Sequence, residues 1–135
     1  MTRKARGGLT LLGKGKTEQP DSPDQAVLEA FPDPTPGRNY WIRLDCPEFT
    51  SLCTITGQPD FGHLTIEYVP NRLCVESKAL KLYLVSFRNH GAFHEAVTNR
   101  VLDDLVKAVR PRQARVSGEF NRRGGIAITV TADYP

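Results

Sequence analysis

The chain has 135 residues and a mass of 15.0 kDa, enough for one domain and too short for a catalytic barrel or a two-halved dinucleotide-binding fold. Hydrophobic residues at 39% and charged residues at 24% describe a globular chain slightly poor in apolar groups, as expected where one stretch stays unpacked. Lys and Arg number 18 against 15 Asp and Glu, leaving a formal charge of +3, far below that of a nucleic-acid coat and compatible with a small anionic ligand.

In chain order, no stretch approaches the roughly 20 apolar residues of a membrane span. The basic start MTRKARGG is not followed by an apolar signal core, so a cytoplasmic protein is expected. Residues 1–36 are rich in Gly, Lys, Pro, Asp and Ser, and are expected to form a flexible extension. Val27, Leu28 and Phe31 lie at helical spacing within it, so that short part has the means to dock. A single domain is expected over 37–135.

Tyr40, Ile42 and Leu44 alternate with Trp41, Arg43 and Asp45, the period-2 pattern of a strand. Phe61 to Val69 alternates likewise and ends at the Pro70-Asn71 turn. Between them, Phe49 to Asp60 is the least regular segment. Ser77 to Phe87 fits strand or helix by hydrophobicity, but its Glu, Lys, Ala and Leu bias and a possible Ser77 cap favour helix. Phe93, Val97, Val101, Leu105 and Val109 recur every four residues and mark a helix that Pro111 stops. Ala114 to Phe120 and Ile126 to Tyr134 alternate around an Asn121–Gly125 turn, a hairpin.

The expected order is therefore β-β-α-α-β-β, an α+β layer of four antiparallel strands with both helices on one face. A sheet this small is expected to leave an apolar open side and free edges, to be closed by strands of neighbouring subunits pairing into a barrel.

Cys46, Cys53 and Cys74 are odd in number and form no CxxC, so neither a disulfide framework nor a zinc knuckle is suggested. A thiol can instead be a nucleophile. Cys53 is followed by Gly57-Gln58-Pro59 and Asp60, a turn able to bring the two side chains together. Thiol and carboxyl suit addition to an electrophilic carbon with proton delivery to the heteroatom. A buried cysteine and a turn aspartate would account for the same residues. Lys78 and Lys81 stand three apart after Val75-Glu76-Ser77, at a strand-to-helix junction whose backbone N–H groups favour anions. Solvated lysines on an ordinary capped helix fit equally. Glu95, after His94, suits a helix dipole; facing a pocket, it would accept the paired N–H groups of a guanine-like base. Arg122-Arg123-Gly124-Gly125 is a plain turn or a phosphate clamp.

Taken together, FTSLC and TGQPDF within Phe49–Phe61, ESKALKLY at Glu76–Tyr83, FHE at Phe93–Glu95 and RRGG at Arg122–Gly125 resemble the short class of NADPH-dependent 7-cyano-7-deazaguanine reductases. These are the nitrile reductases of queuosine biosynthesis, a tRNA modification. The resemblance spans about residues 38 to 135, and departs from the family at Thr54 and Gly62, where Pro and Ala are expected.

It implies a tunnelling fold (T-fold), a homo-oligomer closed as a barrel of two stacked pentameric rings, and no metal. It also implies roles: Cys53 as covalent nucleophile, Asp60 as proton donor, Val75, Glu76, Ser77, His94 and Glu95 on the substrate, and Ser77, Lys78, Arg123 and Gly124 on NADPH. Cys46 and Cys74 have no part in it. The implied reaction adds the Cys53 thiolate to the nitrile, reduces the thioimide, releases an imine and reduces that with a second NADPH. No GxGxxG follows a strand, so Lys78, Lys81 and the Arg122-Arg123 tip are the cations left for the cofactor's phosphates. Two other readings use the same chain. A zinc cyclohydrolase acting on a purine nucleotide needs a Cys/His/Cys set, yet Thr56 stands three residues after Cys53, and His63 with Cys74 has no recognisable spacing. An RNA-binding module would rest on the basic tail and a pI near 8.9.

Overall fold

A computed structural model describes residues 19–135; the first 18 residues of the expected extension lie outside the described part. The elements are β1 (Ala30–Pro32), β2 (Ile42–Leu52), β3 (Pro59–Val69), β4 (Leu73–Val75), α1 (Ser77–Val85), α2 (His94–Val109), β5 (Gln113–Arg123) and β6 (Ile126–Tyr134). The main sheet is four-stranded and antiparallel in the order β2-β3-β5-β6, so two hairpins join through β3 and β5. This is the expected α+β architecture.

Alternation sorts the sheet into two faces. Leu64, Ile66 and Tyr68 of β3, with Val116 and Phe120 of β5, are buried under the helices. From α2, Val97, Val101, Leu105 and Val109 join the same core at helical spacing. Each side chain so buried contributes about 1.5–3 kcal/mol, so tertiary packing rather than intrinsic propensity holds the helix. The α2 C-terminus closes on Arg110 with φ 47°, just before Pro111. At α1, the cap is Glu76 and not Ser77: its carboxylate accepts from the backbone N–H of Lys78 at 2.9 Å and of Ala79 at 2.8 Å. Two charge-assisted bonds from one carboxylate outcompete the single bond of a serine hydroxyl.

The open face is polar, in contrast to the apolar side expected. His63 pairs with Asp45, Arg115 with Asp133 and Ser117 with Thr131 across neighbouring strands. Apart from the exposed Phe61, the residues between the buried ones on β3 and β5 are hydrophilic along the paired stretch, so the pattern covers one face only.

The segment expected to be flexible up to residue 36 is packed over part of its length. Strand β1 pairs antiparallel with β4, and Ala26, Leu28 and Ala30 lie against the core. Asp33 is buried, accepting from the Tyr40 hydroxyl at 2.6 Å and the Thr35 N–H at 3.0 Å. Arg100 of α2 reaches Asp24 at 2.8 Å. Prolines that forbid a helix here do not forbid a three-residue edge strand. Among the described residues, no helix is long and apolar enough to cross a membrane.

Candidate active site

Strand β2 delivers Cys53 and β3 returns with Asp60, since Leu52 faces Pro59 and Ser51 faces Asp60 in the register. Cys53 sits at the cap of a single helical turn. Its backbone carbonyl accepts from Gly57 N–H at 2.9 Å, its N–H donates to Gln58 O at 2.8 Å, and Gly57 closes the turn at φ 69°. In this position the sulfur receives hydrogen bonds from the Thr56 hydroxyl and from the N–H groups of Thr56 and Ile55. These hold the thiol below its ordinary value, against partial desolvation and the Asp60 charge. Thr54 occupies the first position of that turn, where the fixed φ of the expected Pro would also fit.

A second segment is drawn to the same place by Leu52. Its N–H donates to His90 O at 3.1 Å and its carbonyl accepts from Ala92 N–H at 3.2 Å, bringing the start of α2 beside Cys53. Asp60 then lies between a guanidinium and an imidazole: Arg123 Nη2 is 2.6 Å from Oδ1 and His94 Nε2 3.4 Å from Oδ2. The Asp60 side chain is 9% exposed and that of Arg123 44%, so the pair sits at a pocket wall, with one partner reaching from solvent. Arg123 also donates to Pro59 O at 2.5 Å.

Cys53, Asp60, His94, Glu95 and Arg123 line one pocket of about 340 Å³, with Thr54, Ala92, Phe93 and Ile128. Thiol, carboxylate, imidazole and guanidinium in one cavity can add a nucleophile to a carbon and move a proton to its neighbour. Val75, Glu76, Ser77, Lys78 and Lys81 do not line it. Val75 and Glu76 are buried, Glu76 as the α1 cap, while Ser77 and Lys81 line a separate groove of about 590 Å³ between α1 and β2. Gly124 is at the β5–β6 tip, with φ 57° followed by 81° at Gly125, as a tight two-residue hairpin demands. Cys46 and Cys74 are elsewhere, their thiols raised chiefly by burial.

The family model described as QueF-like protein matches residues 59–135. The chain belongs to this family. An NADPH-dependent 7-cyano-7-deazaguanine reductase of Nitrosococcus oceani is 56% identical over 115 residues, 85% of this chain and 88% of the relative. One of Bacteroides thetaiotaomicron is 54% identical over 126 residues, 93% of this chain and 83% of the relative. Among solved structures, the apo archaeosine synthase QueF-Like superposes with a TM-score of 0.65 at 24% identity, covering 69% of this chain and 91% of that one. At that identity the likeness speaks for the fold, which is the expected tunnelling fold.

Within this family member, sequence reasoning overlooked Thr56, which reads as an ordinary turn residue, and Phe120, which reads as one more core aromatic. It also assigned Arg123 to the cofactor alone, whereas its guanidinium rests on Asp60.

Proposed function

We propose that the chain uses NADPH to reduce the nitrile of 7-cyano-7-deazaguanine to an aminomethyl group, as a step of queuosine biosynthesis in the cytoplasm. The observation that carries this reading is the convergence of Cys53, Asp60, His94, Glu95 and Arg123 on one pocket, in a chain more than half identical to reductases of that name.

Cys53 is the nucleophile, poised by its turn as the more reactive thiol. Asp60, paired with Arg123 as a carboxylate, first accepts the Cys53 proton and then passes it to the nitrile nitrogen as the sulfur–carbon bond forms. The product is a thioimide with one proton on nitrogen, so atoms and charge balance. When bound, NADPH supplies hydride for the thioimide and again for the imine left after the sulfur departs. Asp60 and His94 return a proton to nitrogen after each hydride, and Glu95 at the pocket wall receives the amide and amino N–H groups of the base.

The residues present fit an anionic dinucleotide. Arg122 and Arg123 stand exposed beside two glycines at which an added Cβ would meet no atom within 4 Å, leaving the tip open to a phosphate. Lys78 and Lys81 follow the N-terminus of α1.

Because Val75, Glu76, Ser77, Lys78 and Lys81 do not line the Cys53 pocket, we infer that a second copy brings them to it. Two exposed apolar side chains support this: Phe93, which lines the pocket, is 62% exposed, and Ile55, in the Cys53 turn, 81%. Among the described residues, β6 and the part of β2 before Leu52 also have free edges in a single chain. A ring of copies would close both, and two stacked pentameric rings are the proposed assembly.

The test is mass spectrometry of protein mixed with 7-cyano-7-deazaguanine without NADPH. One substrate mass on Cys53, absent from Cys53→Ala, is the expected result; an adduct on Cys46 or Cys74 overturns the assignment. For the shared site, mixing inactive Cys53→Ala with an inactive Lys78→Ala, Lys81→Ala protein is expected to restore activity when rings re-form, because Arg123 stays with the Cys53 pocket of its own chain. A fully active monomer in sedimentation rejects it.

A further inference from the structure

His94 opens α2, and its Nε2 is 3.4 Å from Asp60 Oδ2, too long a contact to fix an imidazole by itself. What fixes it lies on the other side of the ring. The His94 imidazole is stacked on the Phe120 ring with centroids 4.0 Å apart and planes 4° from parallel. Phe120 is in turn braced by Phe49, edge-on at 6.4 Å and 78°.

The seat under Phe120 consists of two glycines. A Cβ at Gly62, its register partner, would come within 2.8 Å of Phe120 Cδ1, and a Cβ at Gly118 within 2.7 Å of Cε2. Glycine weakens a strand interior, so two beneath one ring mark a close approach of ring to backbone in this chain. Gly118 also leaves room for Thr98, whose Oγ1 would be 2.7 Å from that Cβ and donates to the His94 carbonyl at 3.0 Å. His94 is thus held at its ring by Phe120 and at its backbone by Thr98.

We propose that Phe120 is a positioning residue for the reduction, a flat platform seated on Gly62 and Gly118 that holds the His94 imidazole against Asp60. This rests on the reading of the site given above. A ring free to turn about its side-chain torsions would meet Asp60 only part of the time, and proton transfer depends on that geometry.

A double-mutant cycle tests it. Phe120→Leu keeps apolar volume and removes the flat face. It is expected to lower kcat by roughly 10- to 100-fold with KM changed less than about twofold. In a His94→Ala background the same substitution is expected to lower kcat less than about twofold further, because Phe120 acts through His94. Val109→Ala, in the same core at the far end of α2, is the control that loses stability and keeps kcat. Losses that add in the cycle, or a Phe120→Leu protein with full kcat, overturn the proposal. If Phe120→Leu does not fold, Gly118→Ala displaces the ring edge and must give the same non-additivity. Failure of the site reading shows itself separately, as no NADPH consumption by the unaltered protein. The NMR shift of the His94 ring protons then decides: the Phe120 face holds it upfield and Phe120→Leu releases it, while an unchanged shift refutes the platform.

Discussion

Glu76→Ala removes the cap of α1, and the structure allows its cost to be worked out. The Glu76 carboxylate accepts from two backbone N–H groups, Lys78 at 2.9 Å and Ala79 at 2.8 Å, and the residue is 5% exposed. Water therefore has little access to the amides left behind. Loss of an N-cap costs up to about 2 kcal/mol, and bonds to a charged acceptor about 1.5–3 kcal/mol each, so Glu76→Ala should cost roughly 2–4 kcal/mol. In a domain of this size 1 kcal/mol moves Tm by about 3–6 °C, which sets the expected fall at about 6–24 °C. Glu76→Gln keeps the size and one good acceptor and should lose about half of that. Thermal unfolding followed by circular dichroism is the assay, with substrate binding measured on the same samples. A Glu76→Ala protein melting within about 2 °C of the unaltered chain would refute the capping argument. A Glu76→Gln protein with normal melting and weakened substrate binding would show that the carboxylate serves the ligand before the helix.

Iodoacetamide is expected to alkylate Cys53 at lower pH than Cys46, because turn hydrogen bonds depress the first thiol and burial raises the second. Thr56→Val should move the Cys53 inflection upward and Thr56→Ser should not, read by peptide mass spectrometry across pH; identical profiles for both variants would discard the role of Thr56. The sign for stability follows: a thiol depressed in the folded state stabilises it above the unfolded thiol's pKa, and that contribution is lost as pH falls through the folded value. Glu95→Gln turns one acceptor into a donor facing a donor, and should weaken substrate binding roughly 100-fold in a titration; unchanged affinity would leave Glu95 as a helix-dipole residue.

The long alternating and four-residue patterns were legible because they repeat. Leu64, Ile66 and Tyr68, or Val97, Val101 and Leu105, each report one face several times over, and the structure buries all of them. Strands β1 and β4 were not legible, having three residues each and no room for a pattern. Their pairing comes from tertiary contact, through Phe31 opposite Cys74 and the Glu76 N–H donated to Glu29 O at 2.9 Å. The polarity of the open face was present in the alternate residues of β3 and β5. It was misread because an uncovered sheet face was assumed to be apolar.

At the site, the residue types were legible but their aim was not, and two one-residue slips in register explain why. Cys46 pairs with Leu64 but Phe49 with Gly62, so β2 carries one extra residue at Pro47-Glu48, where an edge strand tolerates a proline. Before the slip, the even-numbered Ile42 and Leu44 turn toward the core; after it, Phe49 and Ser51 do. The second slip, on β5, has Phe120 facing Ile128 and Arg123 facing Ile126. Without it, strict alternation from Phe120 would aim Arg122 inward; with it, Arg123 turns in and meets Asp60 at 2.6 Å. Period-2 reading fails at a bulge by construction, since the extra residue exchanges the faces of everything beyond it. Both bulges lie within a few residues of the pocket, and the side chains they redirect are the aromatic brace beneath Phe120 and the guanidinium on Asp60. The local departure from regular pairing is therefore what assembles the chemistry, and it is set by backbone register across strands far apart in the chain.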